Sequence, residues 1–229
     1  MPNSSTQQAS SESVDDYLKA IFEIAGDDRR APTAAIAKKL GVAPASVTGM
    51  LRKLADQTPP WVSYEKHHGV VLTDRGRLRA LEVIRHHRLL ELYLHDSLGY
   101  KWDEVHDEAE KLEHAISETF EDRIAAQLGD PEVDPHGHPI PRKDGTMPQR
   151  VDVPLIDLDP GASGVVSRVS DRDGELLRYL ASLGIRPGVH IQFIERQPFE
   201  GPLMIRIAES AAQALGARAC SQIRVSPCD

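Results

Sequence analysis

The chain has 229 residues, a formal net charge of −8 and 40% hydrophobic residues. This length suffices for one large domain or two small ones, and no apolar run approaches the roughly 18 residues of a membrane span. The net negative charge by itself argues against a nucleic-acid partner. Residues 1–11 lack the apolar stretch of a signal peptide. We therefore expect a cytoplasmic protein without a membrane anchor, in which residues 1–12 form a disordered lead-in.

The charge is distributed unevenly along the sequence. Residues 29–87 carry 11 Lys/Arg against 4 Asp/Glu, whereas residues 88–134 carry 4 against 14. A basic block beside an acidic block fits phosphate binding next to cation binding. Ordinary solvated helix faces would give the same counts, so the charge distribution alone does not decide between these interpretations.

The N-terminal part of the chain predicts a winged helix-turn-helix over residues 13–76. An amphipathic helix opens this segment, and two short helical patterns follow at 33–40 and 44–56. Residues 61–65 and 70–73 have the composition of two strands joined by a tight turn. Helix, turn, helix and hairpin in this order are typical of a winged DNA-binding module.

The candidate DNA-contacting residues follow from this module. A recognition helix presents its N-terminal side chains to base edges in the major groove. Small and hydroxyl side chains there permit close approach and hydrogen bonds, and basic side chains at the helix end and wing tip can reach phosphates. The candidates are Ala45, Ser46, Thr48, Gly49, Arg52, Lys53, Lys66, His67 and His68. The alternative is a three-helix interaction domain that binds no DNA.

The rest of the chain predicts a helical domain at 77–145 and a β-rich domain at 151–229. Residues 129–150 have the Pro, Gly and Asp content of a linker, so we interpret His136 and His138 as linker residues rather than metal ligands. After residue 151 short strands alternate with Gly/Pro turns, which predicts a small β-barrel. The expected fold class is mainly α with a small β component.

Histidine and carboxylate residues recur at helical spacing in the acidic block. Residues three and four apart are neighbours on a helix, so the run from His106 to His114, read as a helix, places two imidazoles and two carboxylates on one face. These ligand types suit Mn, Fe, Co or Zn. The face spans more than two turns, so we expect two sites. The candidate ligands are Glu110, Glu113 and His114 for one ion, and His87, Glu91 and His106 for the other. A solvated helix face with simple His–Glu pairs is the alternative.

Nearly the whole chain resembles the diphtheria toxin repressor / manganese transport regulator family of metal-dependent repressors. Over residues 13–145 the likeness rests on Asp15-Asp16-Tyr17-Leu18, Ala34–Leu51, Gly69–Thr73, Arg85–Leu90, His106–Ala109, Glu113-His114 and Asp134–Pro141. Residues 151–229 resemble the SH3-like barrel, related to ferrous-transport accessory (FeoA) domains, that some members carry. This second likeness rests on Leu176–Leu180 and Leu183–Gly188.

The resemblance implies a primary site that spacing alone does not reveal. Carried over residue by residue, its ligands are Asp16, Glu110, Glu113 and His114. Iron-sensing members place Met and Cys where this chain has Asp16 and Glu110, and hard oxygen ligands favour Mn²⁺. Lys19 stands where manganese-sensing members have a glutamate that bridges two metal ions, so an identical binuclear site is not expected.

The resemblance also implies an ancillary site of the iron-sensing type. It falls on His87, Glu91 and His106, and polar side chains from the barrel complete it. Asp173 and Glu175 are the nearest barrel positions. The chain therefore resembles a hybrid of the two branches.

The function implied by the resemblance is a homodimeric, metal-dependent repressor of metal-uptake genes that binds a double-stranded DNA operator. The expected cofactor is Mn²⁺, with Fe²⁺ as the alternative. No nucleophilic triad, phosphate loop or dinucleotide fingerprint stands out in the sequence, so we do not expect an enzyme. Two other classes stay open. One is a metal-independent winged-helix regulator, and the other is a metalloenzyme with a coordination position open to water.

Overall fold

The computed structural model describes residues 4–26, 29–199 and 201–228. The helices are α1 (Ser4–Ala25), α2 (Thr33–Leu40), α3 (Pro44–Ala55), α4 (Asp74–Leu98), α5 (Val105–Leu112), α6 (Glu118–Gln127), α7 (Gly174–Ser182) and α8 (Ala217–Cys220). The strands are β1 (Val62–Glu65), β2 (Gly69–Leu72), β3 (Val153–Pro154), β4 (Ser163–Val169), β5 (His190–Arg196), β6 (Leu203–Ile207), β7 (Gln213–Leu215) and β8 (Ile223–Pro227). Among the described helices, none combines the length and the apolar character needed to cross a membrane.

The chain divides into two compact units, each with a hydrophobic core of its own. The first unit contains the chain up to His86 together with residues 113–115 and 141–146. The second contains residues 87–112, 116–140 and the chain from Met147 onward. The finer division into three domains stays a prediction from the sequence.

The first unit contains the predicted winged helix-turn-helix. Helices α1, α2 and α3 and the β1–β2 hairpin share a core that includes Leu18, Ile36 and Leu51. Gly41 ends α2 with a φ of +64°, a left-handed conformation that suits glycine, and its N–H donates to Ala37 O. Pro44 opens α3, where its missing N–H is harmless. The predicted DNA-binding architecture is confirmed.

The first helix begins earlier than expected. The sequence pattern placed its start at Ser13, within a chain whose residues 1–12 were expected to be disordered, but α1 is helical from Ser4. Residues 4–12 contain neither Gly nor Pro, so nothing in their sequence stops the helix from extending toward the N-terminus. Residues 1–3 lie outside the described part of the chain.

The second unit contains the predicted β-rich domain. Its six strands form one antiparallel sheet in the order β3-β8-β4-β5-β6-β7. The register shifts between Val166 and Arg168 on β4, and between Phe193 and Glu195 on β5. Such bulges bend a strand and increase its twist, which lets the sheet curve over a core that contains Phe193, Leu155 and Leu177.

The predicted linker is partly an ordered segment of the second unit. Val133 and Pro139 form an isolated antiparallel bridge, and the carbonyl of His136 accepts a hydrogen bond from Val169 N at 3.0 Å. A Cβ at Gly137 would lie 2.0 Å from Ser167 O, and the φ of Gly137 is +88°. The interpretation of His136 and His138 as loose linker residues is therefore wrong, because a glycine at 137 lets the backbone pack directly against β4.

Two helical glycines of the first unit are expected to respond oppositely to substitution by alanine. A Cβ at Gly76 would lie 2.0 Å from Trp61 O, whereas a Cβ at Gly49 has no atom within 4 Å. We expect Gly76→Ala to lower the free energy of unfolding by about 1–3 kcal/mol through overpacking. Gly49→Ala is expected to raise it by about 0.5–1 kcal/mol, because alanine loses less backbone entropy in a helix. Urea unfolding followed by circular dichroism distinguishes them, and equal shifts would contradict the packing at Gly76.

Candidate metal centres and nucleic-acid interface

The acidic run of the sequence is not one continuous helix. Helix α5 ends at Leu112, so Glu113 and His114 lie in the turn that follows it. Within this turn the carbonyl of Glu113 lies 3.1 Å from His86 Nδ1, a tertiary hydrogen bond in place of a helical one. The next helix, α6, starts at its own N-cap, Ser117, whose side chain accepts from Phe120 N. The expected common helical face from His106 to His114 is therefore wrong.

The first unit nevertheless brings three of the predicted primary ligands together. Ligand atoms of Asp16, Glu113 and His114 all lie within 4.8 Å of one another. Asp16 Oδ1 is 3.0 Å and Glu113 Oε1 is 3.5 Å from His114 Nε2. Glu110, the fourth predicted ligand, is exposed on α5 and belongs to the second compact unit.

A buried lysine shares this group. Lys19 Nζ donates to both carboxylate oxygens of Glu113, at 2.9 and 2.7 Å, and the two side chains are 9% and 1% exposed. A buried carboxylate needs a nearby positive charge to stay ionised. Lys19 supplies a positive charge to Glu113, a pairing that the sequence pattern did not indicate.

The charge state of His114 follows from its acidic neighbours. The carboxylates of Asp15 and Asp16, which lie 3.7 and 3.0 Å from its ring nitrogens, raise the pKa of His114 to about 10, against the opposing effect of burial. Burial alone would raise the pKa of Asp15, but Arg79, which donates to it at 2.7 and 2.6 Å, and His114 lower that pKa below its usual value. In the metal-free chain His114 is therefore a cation at neutral pH. A metal ion bound at its Nε2 would have to displace a proton.

The second unit brings together the predicted ancillary residues. His87 Nε2 lies 3.1 Å from both Glu91 Oε1 and His106 Nδ1, and His106 Nδ1 lies 3.2 Å from Glu91 Oε1. Hydrogen atoms cannot satisfy all three contacts, because each ring nitrogen carries at most one hydrogen and the carboxylate oxygen carries none. Ligands at right angles around one ion, each about 2.2 Å from it, are about 3.1 Å apart. These residues therefore fit a divalent ion.

The carboxylate that joins this group from the β-rich part is Asp171. Its ligand atom lies within 4.8 Å of those of His87, Glu91 and His106. The expected Asp173 instead caps α7, where its side chain accepts from Leu176 N at 3.1 Å, and it also pairs with Arg218. Glu175 is exposed on α7. The candidate ligand from the β-rich part is thus Asp171, two residues before the predicted Asp173, because Asp173 caps α7.

Glu91 is the electrostatic centre of the ancillary group. Its side chain is 0% exposed, and its Oε2 has no hydrogen-bond partner. Although burial raises the pKa of Glu91, the imidazoles of His87, His106 and His136 lower it well below its usual value. The carboxylate is therefore ionised, with one oxygen available to a cation.

The predicted DNA-contacting residues lie on the surface of the first unit. Helix α3 buries Val47, Leu51 and Leu54 and leaves its other face to solvent. Thr48 is half-buried, and its hydroxyl donates to Pro44 O at 3.1 Å. The exposed candidates are Ala45, Ser46, Gly49, Arg52 and Lys53 on α3, and Lys66, His67 and His68 at the tip of the hairpin.

Three family models match successive parts of the chain. Residues 10–70 match the N-terminal DNA binding domain of the iron dependent repressors, and residues 73–142 match their metal binding and dimerisation domain. Residues 153–227 match the FeoA domain.

Individual proteins are similar over most of their length. The iron-dependent repressor IdeR of Mycobacterium tuberculosis is 29% identical over 201 residues, which cover 82% of this chain and 86% of that protein. The diphtheria toxin repressor of Corynebacterium efficiens is 30% identical over 191 residues, which cover 79% and 82%. A solved structure of a manganese-dependent transcriptional repressor in complex with manganese is 41% identical, covers 94% of this chain and 100% of that chain, and has a TM-score of 0.87.

A winged helix-turn-helix combined with clusters of imidazole and carboxylate ligands defines a DNA-binding regulator that responds to metal. The chain belongs to the iron-dependent repressor family, which includes the diphtheria toxin repressor, and it is a metal-dependent transcriptional repressor with a dimerisation domain. The resemblance seen in the sequence is confirmed. The similar proteins are named as repressors rather than enzymes.

The raised pKa of His114 leads us to predict how the stability of the protein depends on pH. Its folded pKa of about 10 lies above the ordinary value of 6.5, so its contribution to stability is complete below pH 6.5 and is lost as the pH rises toward 10. In metal-free protein, the stability difference between the natural chain and His114→Gln should therefore shrink as pH rises, by at most about 1.4 kcal/mol per unit. Urea unfolding at pH 6.5, 8 and 9 measures this, and a constant difference would contradict a protonated His114.

The buried pair of Lys19 and Glu113 makes a second prediction. Removing one member of a buried pair costs about 3 kcal/mol or more, so Lys19→Met should destabilise the metal-free chain by this amount. The double variant Lys19→Met, Glu113→Gln should recover part of the loss. Lys39, which pairs with Glu23 at the partly exposed surface, is the matched control, and Lys39→Met should cost about 1 kcal/mol or less. Similar losses for the two lysines in urea unfolding would rule out a special role for Lys19.

Proposed function

We propose that Mn²⁺ is the ion that controls this repressor, with Fe²⁺ as the alternative. The observation that carries the proposal is the meeting of two carboxylates, Asp16 and Glu113, with the imidazole of His114. Oxygen and imidazole ligands suit Mn²⁺, whereas thiolate and thioether ligands select softer ions. The similar solved structure that is named manganese-dependent supports this choice. Fe²⁺ is the alternative because other similar proteins are named iron-dependent repressors.

The proposed ligands form two groups. The controlling ion would be held by Asp16, Glu110, Glu113 and His114, and an ancillary ion by His87, Glu91, His106 and Asp171. For the controlling ion, the fit rests on the approach of Asp16 Oδ1 and Glu113 Oε1 to His114 Nε2, at 3.0 and 3.5 Å, and on the oxygen-rich donor set. For the ancillary ion, it rests on the three contacts near 3.1 Å and the free Oε2 of Glu91.

The residues of α1 connect the ligand group to the DNA-binding surface. Asp16 lies on α1, and its neighbours Leu18 and Ile21 pack in the same core as α2 and α3. When bound, the metal supplies a divalent charge that Asp16 and a deprotonated His114 share. Holding Asp16 and His114 together would restrict the movement of α1. Through the common core it would also restrict the recognition helix α3. A helix-turn-helix that is already ordered loses less entropy on entering the major groove, so DNA affinity rises with metal.

Dimerisation explains why ordering matters for affinity. Two identical recognition helices can enter successive major grooves only if they lie about one DNA turn apart. Fixing each helix within its own subunit lowers the ordering cost for both half-sites at once. A high metal concentration would then repress metal-uptake genes, which is the proposed biological role.

The proposal predicts metal-dependent operator binding. We would measure the fluorescence anisotropy of a labelled promoter duplex from a manganese-uptake gene, with and without Mn²⁺, and repeat it anaerobically with Fe²⁺. Binding should require metal, and the ion with the lower threshold is the controlling one. Asp16→Asn should raise the required metal concentration about tenfold or more, since a charged ligand is lost. Asp107→Asn, an exposed acid-to-amide change on α5, should leave it unchanged.

Equal affinity for the duplex with and without metal would contradict the proposal. It would leave a metal-independent winged-helix repressor, in which the Asp16, Glu113 and His114 group has only a structural role.

A further inference from the structure

The segment between α6 and β3 carries a group of ligands that the proposed function does not use. Ligand atoms of Asp134, His136 and His138 all lie within 4.8 Å of one another. Asp134 and His136 are 3% and 0% exposed. Asp134 Oδ1 accepts hydrogen bonds from the backbone N–H groups of His136 and His138, at 2.8 and 3.0 Å. These two bonds fix the carboxylate, and its other oxygen, Oδ2, lies 3.3 Å from His138 Nδ1.

The imidazole of His136 is oriented as in a metal ligand. Its Nε2 lies 2.7 Å from the carbonyl oxygen of Trp102, and a carbonyl only accepts, so Nε2 carries the hydrogen. Metal-binding histidines commonly donate their other ring nitrogen in this way. The remaining Nδ1 lies 3.8 Å from Glu91 Oε1 and 3.9 Å from Asp134 Oδ1, too far for a hydrogen bond with either.

Four buried polar atoms of this group and the neighbouring ancillary group have no hydrogen-bond partner. Within the described part of the chain they are Glu91 Oε2, Asp134 Oδ2, His136 Nδ1 and His138 Nδ1. Each buried polar atom left unsatisfied costs about 1–3 kcal/mol. Arg88 Nε lies 3.8 Å from Asp134 Oδ2, which moderates the negative charge but makes no hydrogen bond at that distance. Cations bound in this group and in the ancillary group would give these atoms a partner.

Two carboxylates face both this group and the ancillary group. Glu91 Oε1 lies 3.1 Å from His87 Nε2 and 3.8 Å from His136 Nδ1. Asp171 Oδ2 lies 3.9 Å from His106 Nδ1 and 3.5 Å from His138 Nδ1. Carboxylates placed between two sets of imidazoles can share two cations and screen their mutual repulsion.

We propose that Asp134, His136 and His138 form a second cation position beside the ancillary one, so that the second unit holds two divalent ions with Glu91 and Asp171 between them. Three carboxylates then face four positive charges, and each ion receives both nitrogen and oxygen ligands. The proposal rests on metal binding by this repressor but adds an ion and three ligands to it.

The test is the metal content of the full-length protein after equilibrium dialysis against Mn²⁺. His114→Gln serves as the background, because it disables the primary group and leaves the ions of the second unit. We expect about two Mn²⁺ per chain in this background and about one fewer when His138→Gln is added. Mn²⁺ electron paramagnetic resonance should show a spin-coupled pair in the first protein and an isolated ion in the second.

Two further variants control for indirect effects. His138→Asp restores a ligand and should recover both the second ion and the coupled signal. His190→Gln, which removes an exposed histidine of β5, should change neither. The His138 side chain is 15% exposed, and circular dichroism verifies that the variants remain folded.

The outcomes separate this inference from the proposed function. One Mn²⁺ in the background protein, unchanged by His138→Gln, would overturn the inference and indicate a single ion shared by Glu91 and Asp171. No Mn²⁺ would overturn it as well, in favour of protonated imidazoles paired with Asp134 and Asp171. Neither result bears on the proposal that the natural chain binds DNA in a metal-dependent way. That proposal is overturned only if the anisotropy titrations with and without metal coincide.

Discussion

The ionic contacts between α1 and the turn at residues 113–115 are the constraint on which the proposed control of DNA binding depends. Lys19 pairs with Glu113, and Asp16 pairs with His114. A divalent ion bound here would meet two positive charges, the ammonium of Lys19 and the proton on His114. Metal binding would therefore exchange one set of positive charges for another. The affinity for metal is set by the difference between the two arrangements.

In the second unit the buried carboxylates face imidazoles. His136 Nδ1 lies 3.8 Å from Glu91, and His138 Nδ1 lies 3.3 Å from Asp134 and 3.5 Å from Asp171. Neutral imidazoles can become positive only by taking up protons or by sharing a metal ion. A positive charge gained in either way would stabilise the buried carboxylates of Glu91 and Asp134, because an isolated buried carboxylate is strongly unfavourable. A chain that buries ionised groups in this way depends on cations for part of its stability.

The separation of charge along the chain reconciles DNA binding with a net charge of −8. Arg52, Lys53 and Lys66 are exposed on the module that carries the excess of basic residues. The acidic residues concentrate in the segment that carries most of the proposed metal ligands, where bound metal would offset them. The proposed phosphate contacts lie in the basic segment, so the overall charge describes neither surface.

Local sequence patterns predict the helices and strands, because apolar periodicity, the Gly41 turn and Pro44 act within a few residues. They also indicate the donor types, since His87 and Glu91, like Glu110 and His114, are four residues apart. Which donors meet depends on the fold of the whole chain. Whether Asp171 or Asp173 faces His106 depends on which acid caps α7, and His136 became a buried candidate ligand because Gly137 lets the backbone touch β4. These outcomes depend on contacts between residues far apart in the chain, which no local pattern encodes.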